Sequence, residues 1–243
     1  MEGWAFVRRL LVLFAVLAAL LVVADRVAVA VAERAVARRI HTELALAETP
    51  SVSIRGIPFL TQALRGRYED VRVRIANLDS GPLRGIDVDA RLAGVRAPLR
   101  DLIGGRIDQV PVRQITGVLS VGYDDLARAS GIRDLRITPT GDRLRVTGRV
   151  QLLGRTVEAA ATGRVTVEDN GLLLTAEEAT VAGLDAPAPV LAAAARLLSF
   201  HVSASGLPLA LRITGVQTRP DALAVTAEAR DVLLRRGGIA TSR

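Results

Sequence analysis

The chain runs through three hydrophobic patterns, and each predicts a different element. From Leu10 to Ala24 it reads LLVLFAVLAALLVVA with no polar residue, until Asp25 and Arg26 end the run abruptly. A run of this length suits a signal-peptide core, and Val22-x-Ala24 offers a small-residue cleavage site before Asp25. Counted back through Trp4 it reaches about twenty residues, enough to span a bilayer if Arg8 and Arg9 snorkel. The reading favours an uncleaved anchor, residues 1–24, over a signal whose cleavage after Ala24 would release the rest. Arg8 and Arg9 keep the N-terminus cytoplasmic, which puts everything after Asp25 on the outer, periplasmic face of the plasma membrane.

Residues 25–48 continue as an Ala-rich amphipathic helix leading into the domain. Val29, Ala32, Val36, Ile40 and Leu44 recur at three- and four-residue spacing, with Glu33, Arg34, Arg38 and His41 off that stripe. From Thr49 the period becomes two. Val71, Val73 and Ile75 alternate with Arg72 and Arg74; Ile86, Val88, Ala90 and Leu92 with Asp87, Asp89 and Arg91; Leu144, Val146, Val150 and Leu152 with Arg145, Thr147, Arg149 and Gln151. These are half-buried strands, and the pattern returns at 157–167, 172–176, 207–213 and 223–229. Turn signals at DSGP (79–82), TPTGD (138–142), EDNG (168–171) and TRPD (218–221) make the connections short and the sheet antiparallel.

Short helical inserts are expected at Phe59 to Leu64, Leu99 to Ile103 and Tyr123 to Ala129. A longer one, PAPVLAAAARLLSF (187–200), starts on prolines and is apolar nearly all round. The elements sum to an α+β fold, a long curved antiparallel sheet wrapped around a buried helix, preceded by the N-terminal membrane-targeting helix. The domain occupies residues 49–235, with a flexible tail at 236–243.

Composition narrows the function. All 32 basic residues are Arg, Lys is absent and the net charge is +7. The arginines are spread among Asp and Glu along strands, with 3% aromatics in the whole chain, so no basic, base-stacking surface exists and nucleic acid is not an expected partner. The chain has no cysteine, which excludes disulfides, thiolate nucleophiles and cysteine-ligated metals. His41 and His201 sit in no metal-binding or Ser-His arrangement, and the Gly104-Gly105 and Gly237-Gly238 pairs lack the context of a phosphate loop. Asp124-Asp125 and Glu177-Glu178 are sequence neighbours whose side chains diverge, which suits solvated faces better than acid–base catalysis. No catalytic residue, metal ligand or cofactor is assigned, and the chain is read as a non-enzyme.

The run SVSIRGIPFLTQALRGRYEDVRV carries Gly56-x-Pro58-Phe59-Leu60, then Gly66-x-Tyr68 and Val71-x-Val73. With the preceding ADRVAVAVAERAVARRI helix, GVLSVGYDDLARASG (117–131) and NGLLLTAEEATVAG (170–183), it resembles the LmeA-like phospholipid-binding family of actinobacterial cell-envelope proteins over about residues 25–235. The resemblance implies a tubular lipid-binding-like fold that takes a phospholipid or related envelope lipid without covalent chemistry. Acyl chains would then lie in an apolar groove lined by Ile57, Phe59, Leu60 and Leu64 at its mouth and by Leu191, Leu198 and Phe200 from the long helix. Arg55, Arg65 and Arg67 are candidate headgroup contacts. The competing reading is a structural or scaffolding envelope protein that supports cell-wall or lipoglycan biosynthesis; no protein partner is specified.

Overall fold

The computed structural model describes residues 2–80, 83–98, 109–152, 154–168, 171–182, 186–203, 211–235 and 238–241. The expected helix at Leu99 to Ile103, the Gly104-Gly105 pair and the start of the expected strand at 207–210 lie outside them. Helix α1 (Glu2–Glu43) runs unbroken for 42 residues. No Gly or Pro interrupts it after Gly3, so nothing stops its hydrogen-bond ladder between the apolar run and the Ala-rich stretch. Its apolar window, of mean hydropathy 2.5, is wholly unburied, and it is the one helix among the described residues long and apolar enough to cross a membrane.

Beyond Asp25 the same helix lies on the domain. Ala28, Val29 and Ala32 pack against the core and Ala37 is buried. The expected stripe therefore holds at its start but not at its end. The helix stops at Glu43, leaving Leu44 51% exposed, and the chain turns so that Leu46 is buried in its place.

The strands form two antiparallel sheets. The first runs β1 (Ser51–Arg55), β2 (Arg67–Ser80), β3 (Leu83–Arg96), β4 (Gln109–Gly122), β11 (Ala222–Arg235) and β10 (Arg212–Thr218) in spatial order, with β12 (Gly238–Thr241) also on β11. The second runs β5 (Arg136–Thr140), β6 (Arg143–Leu152), β7 (Arg155–Glu168), β8 (Gly171–Val181) and β9 (Phe200–Ser203). The alternating segments lie in these strands, except 207–213, of which Arg212 and Ile213 fall in β10. The TPTGD turn proves narrower than expected: Thr138 to Thr140 belong to β5, and only Gly141 and Asp142 make the bend. Pro139 is tolerated because β5 is an edge strand, where a missing N–H leaves no ladder bond unmade.

Helices α2 (Phe59–Arg65) and α3 (Tyr123–Ala129) form where the sequence places them. Helix α4 (Ala188–Leu198) buries Ala194, Ala195 and Leu198 against β6, β7 and β8, while Leu197 on its outer side is 46% exposed. Strand β10 packs on β7, and α3 bridges β3 and β4 to β5, so the two sheets share one apolar core. Tyr123 pins the start of α3 to the β10–β11 turn by donating its hydroxyl to the Arg219 carbonyl at 2.5 Å, and burial raises its pKa.

Candidate functional site

The Gly56 to Val71 stretch builds a corner of the first sheet. Gly56 (φ 110°) takes the chain out of β1 and Gly66 (φ 62°) ends α2 in the left-handed region, its N–H donating to the Ala63 carbonyl at 3.1 Å. Gln62 ties both flanks together: its amide donates to the Arg55 carbonyl at 3.3 Å and its oxygen accepts from the Glu69 N–H at 3.2 Å. Phe59 and Tyr68 stack beneath α2 with ring centroids 6.1 Å apart, both buried. The concentration of aromatics in this stretch therefore supplies the packing that seats α2 on β2.

Pro58 leaves the first turn of α2 without a side-chain cap of its own, and a residue from α1 supplies one. The Leu60 N–H donates to Asp25 Oδ1 at 2.8 Å. That hydrogen bond holds the Asp25 carboxyl below its ordinary value, helped by the Phe59 N–H and by the Arg26 charge against burial, which acts the other way. Asp25 is 5% exposed; its Oδ2 makes no hydrogen bond and faces the Arg26 guanidinium at 3.5 Å. Two helical turns on, Glu33 Oε1 accepts the Ile54 N–H of edge strand β1 at 2.8 Å. Glu33 thus faces the domain, contrary to its expected place off the packed stripe. Neither acid was singled out from the sequence, although Asp25 carries one signal, as the first charge after the apolar run.

The residues expected to meet lipid divide between two places. Over the first sheet, Phe59 is buried, Leu60 half-buried, and Ile57 and Leu64 are 78% and 83% exposed. Leu64 points outward because α2 already seats Phe59 and Ala63 on the sheet. On the second sheet, Leu198 is fully buried, while Leu191 and Phe200 are half-buried against the core. Arg55, Arg65 and Arg67 are all exposed around Gly66, and Arg96, directly across from Arg67 in the ladder, joins them.

The register adds an apolar surface beside this corner. Ile54 pairs with Val71, Val71 with Leu92, Val73 with Ala90 and Ile75 with Val88, which puts seven aliphatic side chains on one face of β1, β2 and β3. All seven are half-buried. The same face is closed further across the sheet, where Ile115, Leu119, Val121, Leu223, Val225 and Ala227 on β4 and β11 are buried. Cover over the apolar face therefore thins from β11 to the middle of β2 and β3, while Val52 on β1, directly across from Val73, and Ile86 at the start of β3 are buried. The opposite face is polar and carries a concavity of about 780 Å³ lined by Arg72, Arg74, Asp87, Asp89 and Arg91. Arg74 pairs with Asp89 and Arg91 with Asp70, both at 2.9 Å, so most of its charge is compensated internally.

The family described as LmeA-like phospholipid-binding matches residues 23–228, most of the 243-residue chain, and the chain belongs to that family. No curated protein and no solved structure matches it.

Proposed function

We propose, from that membership, that the protein holds phospholipid acyl chains along the half-buried aliphatic strip of β1, β2 and β3, non-covalently, outside the plasma membrane to which α1 tethers it. The observation that carries the reading is the uneven cover of the apolar face: closed at β4 and β11, half-open from Ile54 to Leu92. The strip is about 10 Å wide over its strands and about 13 Å long from Val71 to Ile75. A chain laid along it removes water from both surfaces, and each buried methylene contributes about 0.8 kcal/mol. The walls are Val, Ile, Leu and Ala, smooth and without hydrogen-bonding groups, which suits a ligand with no polar atoms along its length. Arg55, Arg65 and Arg67 stand at the α2 end as charge-assisted donors to a phosphate.

The reading is tested by native mass spectrometry of residues 25–243, as purified and after incubation with phospholipid vesicles. Bound phospholipid is expected in the parent protein and absent from Val73→Asp, with both proteins keeping the same circular dichroism spectrum. A parent protein that takes up no lipid, or a folded Val73→Asp that binds it equally, refutes the strip and leaves a scaffolding role as the better account.

A further inference from the structure

The geometry points to α2 as a membrane foot: Ile57 and Leu64, ringed by Arg55, Arg65, Arg67 and Arg96, dock into the anionic surface of the same bilayer that α1 enters. The inference rests on α1 standing in the membrane and not on lipid uptake by the strip. Outside α1, Ile57 and Leu64 are the most exposed large apolar side chains among the described residues, at 78% and 83%. Ile57 precedes one seven-residue helix and Leu64 lies in its last turn, while Phe59 and Ala63 turn the rest of its apolar surface inward. None of the four arginines has a carboxylate partner among the described residues, unlike Arg74 and Arg91 on the polar face.

Height is what identifies the occupant. The Asp25–Leu60 hydrogen bond fastens α2 to the residue at which the apolar run ends. That run rises about 22 Å as a helix, against about 30 Å of hydrocarbon. Counted back through Trp4, with Arg8 and Arg9 snorkelling to the cytoplasmic side, the apolar length reaches about 30 Å at Ala24, which puts the outer interface at Asp25. Val27 and Val31, 57% and 55% exposed on the following turns, extend the apolar surface in the same direction. A helix clipped at Asp25 therefore sits at headgroup level, where leucine and isoleucine enter the acyl boundary and arginines meet phosphates. A soluble protein partner would have to reach the same patch through the headgroups.

The absence of cysteine makes a direct test clean. The full chain carrying Leu64→Cys, or separately Ile57→Cys, is labelled with a polarity-sensitive dye and reconstituted into vesicles of phosphatidylethanolamine and phosphatidylglycerol. Asp142→Cys, in the exposed turn of the second sheet, serves as reference. Dye at 57 and 64 is expected to shift to the blue, to be quenched by lipids spin-labelled near the headgroup, and to be shielded from iodide; dye at 142 stays water-like. Adding Arg65→Gln to the Ile57→Cys chain should weaken docking about fivefold on anionic vesicles at low salt, one charge near the surface contributing about 1 kcal/mol, and leave phosphatidylcholine vesicles unaffected. Dye at both positions as open to iodide as at 142 overturns the proposal, as does dye shielded from iodide but untouched by labelled lipid, which reports a protein cover. Repeating the measurement in Val73→Asp separates the two readings, since the foot should dock whether or not the strip holds lipid.

Discussion

Asp25 is both the residue at which the apolar run stops and the residue that caps α2, two roles its carboxylate performs with different partners. Because its carboxyl is held below the ordinary value near 3.8, its contribution to stability is fully present above that value and is lost only as pH falls through the lower, folded value. Asp25→Ala should therefore melt at a lower temperature than the parent at pH 7, expose the Phe59 and Leu60 amides to hydrogen exchange, and approach the parent's stability in strong acid. An unchanged exchange rate at Leu60 would show that the cap does not hold α2. Gly66 makes a second residue-scale case. A side chain there meets a positive φ and places its Cβ 3.0 Å from the Pro98 Cα, so Gly66→Ala should lose about 1–2 kcal/mol in urea unfolding.

At the scale of elements, α4 divides into a face that holds the core and a face that does not. Leu198 is fully buried between the helix and the second sheet, so Leu198→Ala should cost about 2–5 kcal/mol with or without lipid present. Leu197→Ser, one residue away on the exposed side, should stay within about 0.5 kcal/mol of the parent. If added phospholipid restored the stability of Leu198→Ala, that position would be a ligand contact and not a packing one. Strand β1 shows the same economy. Its outer edge would offer free N–H groups to other chains, and α1 covers it with Glu33 at the Ile54 amide.

For the whole molecule, the division falls at Asp25. The apolar part of α1 contributes nothing to the core, since residues 6–24 are exposed throughout. Residues 25–243 alone should melt within about 2 °C of the full chain in detergent, because only surface is removed. A large drop would mean that residues 1–24 stabilise the domain. Asp25 and Glu33, eight residues apart on one helix, hydrogen-bond α2 and β1, and with Ala28, Val29 and Ala32 packed on the core they fix the first sheet against α1.

Much of this was legible in the order of residues. An apolar run without a charge specifies a spanning-length helix, alternation specifies which side chains share a strand face, and Gly56, Pro58 and Gly66 bracket α2 within one residue of its observed end. Local chemistry decides these features, so nearby residues suffice to read them. Strand β4 shows where local signals thin: Ile115, Gly117, Leu119 and Val121 alternate, yet Gly117 contributes no side chain and Val118 interrupts the polar side. The division into two sheets was decided only by tertiary structure. So were the exposure of Leu64 and the distance of Phe59 and α2 from the Leu198 face of α4. The half-open strip is the sharpest instance. Its seven residues and their fully covered counterparts on β4 and β11 obey the same period-two pattern; alternation says which face is apolar, but cover is supplied by elements distant in the chain. The Asp25 and Glu33 contacts have the same origin, because a carboxylate on one helix acquires a role only when the fold brings an unpaired N–H to it.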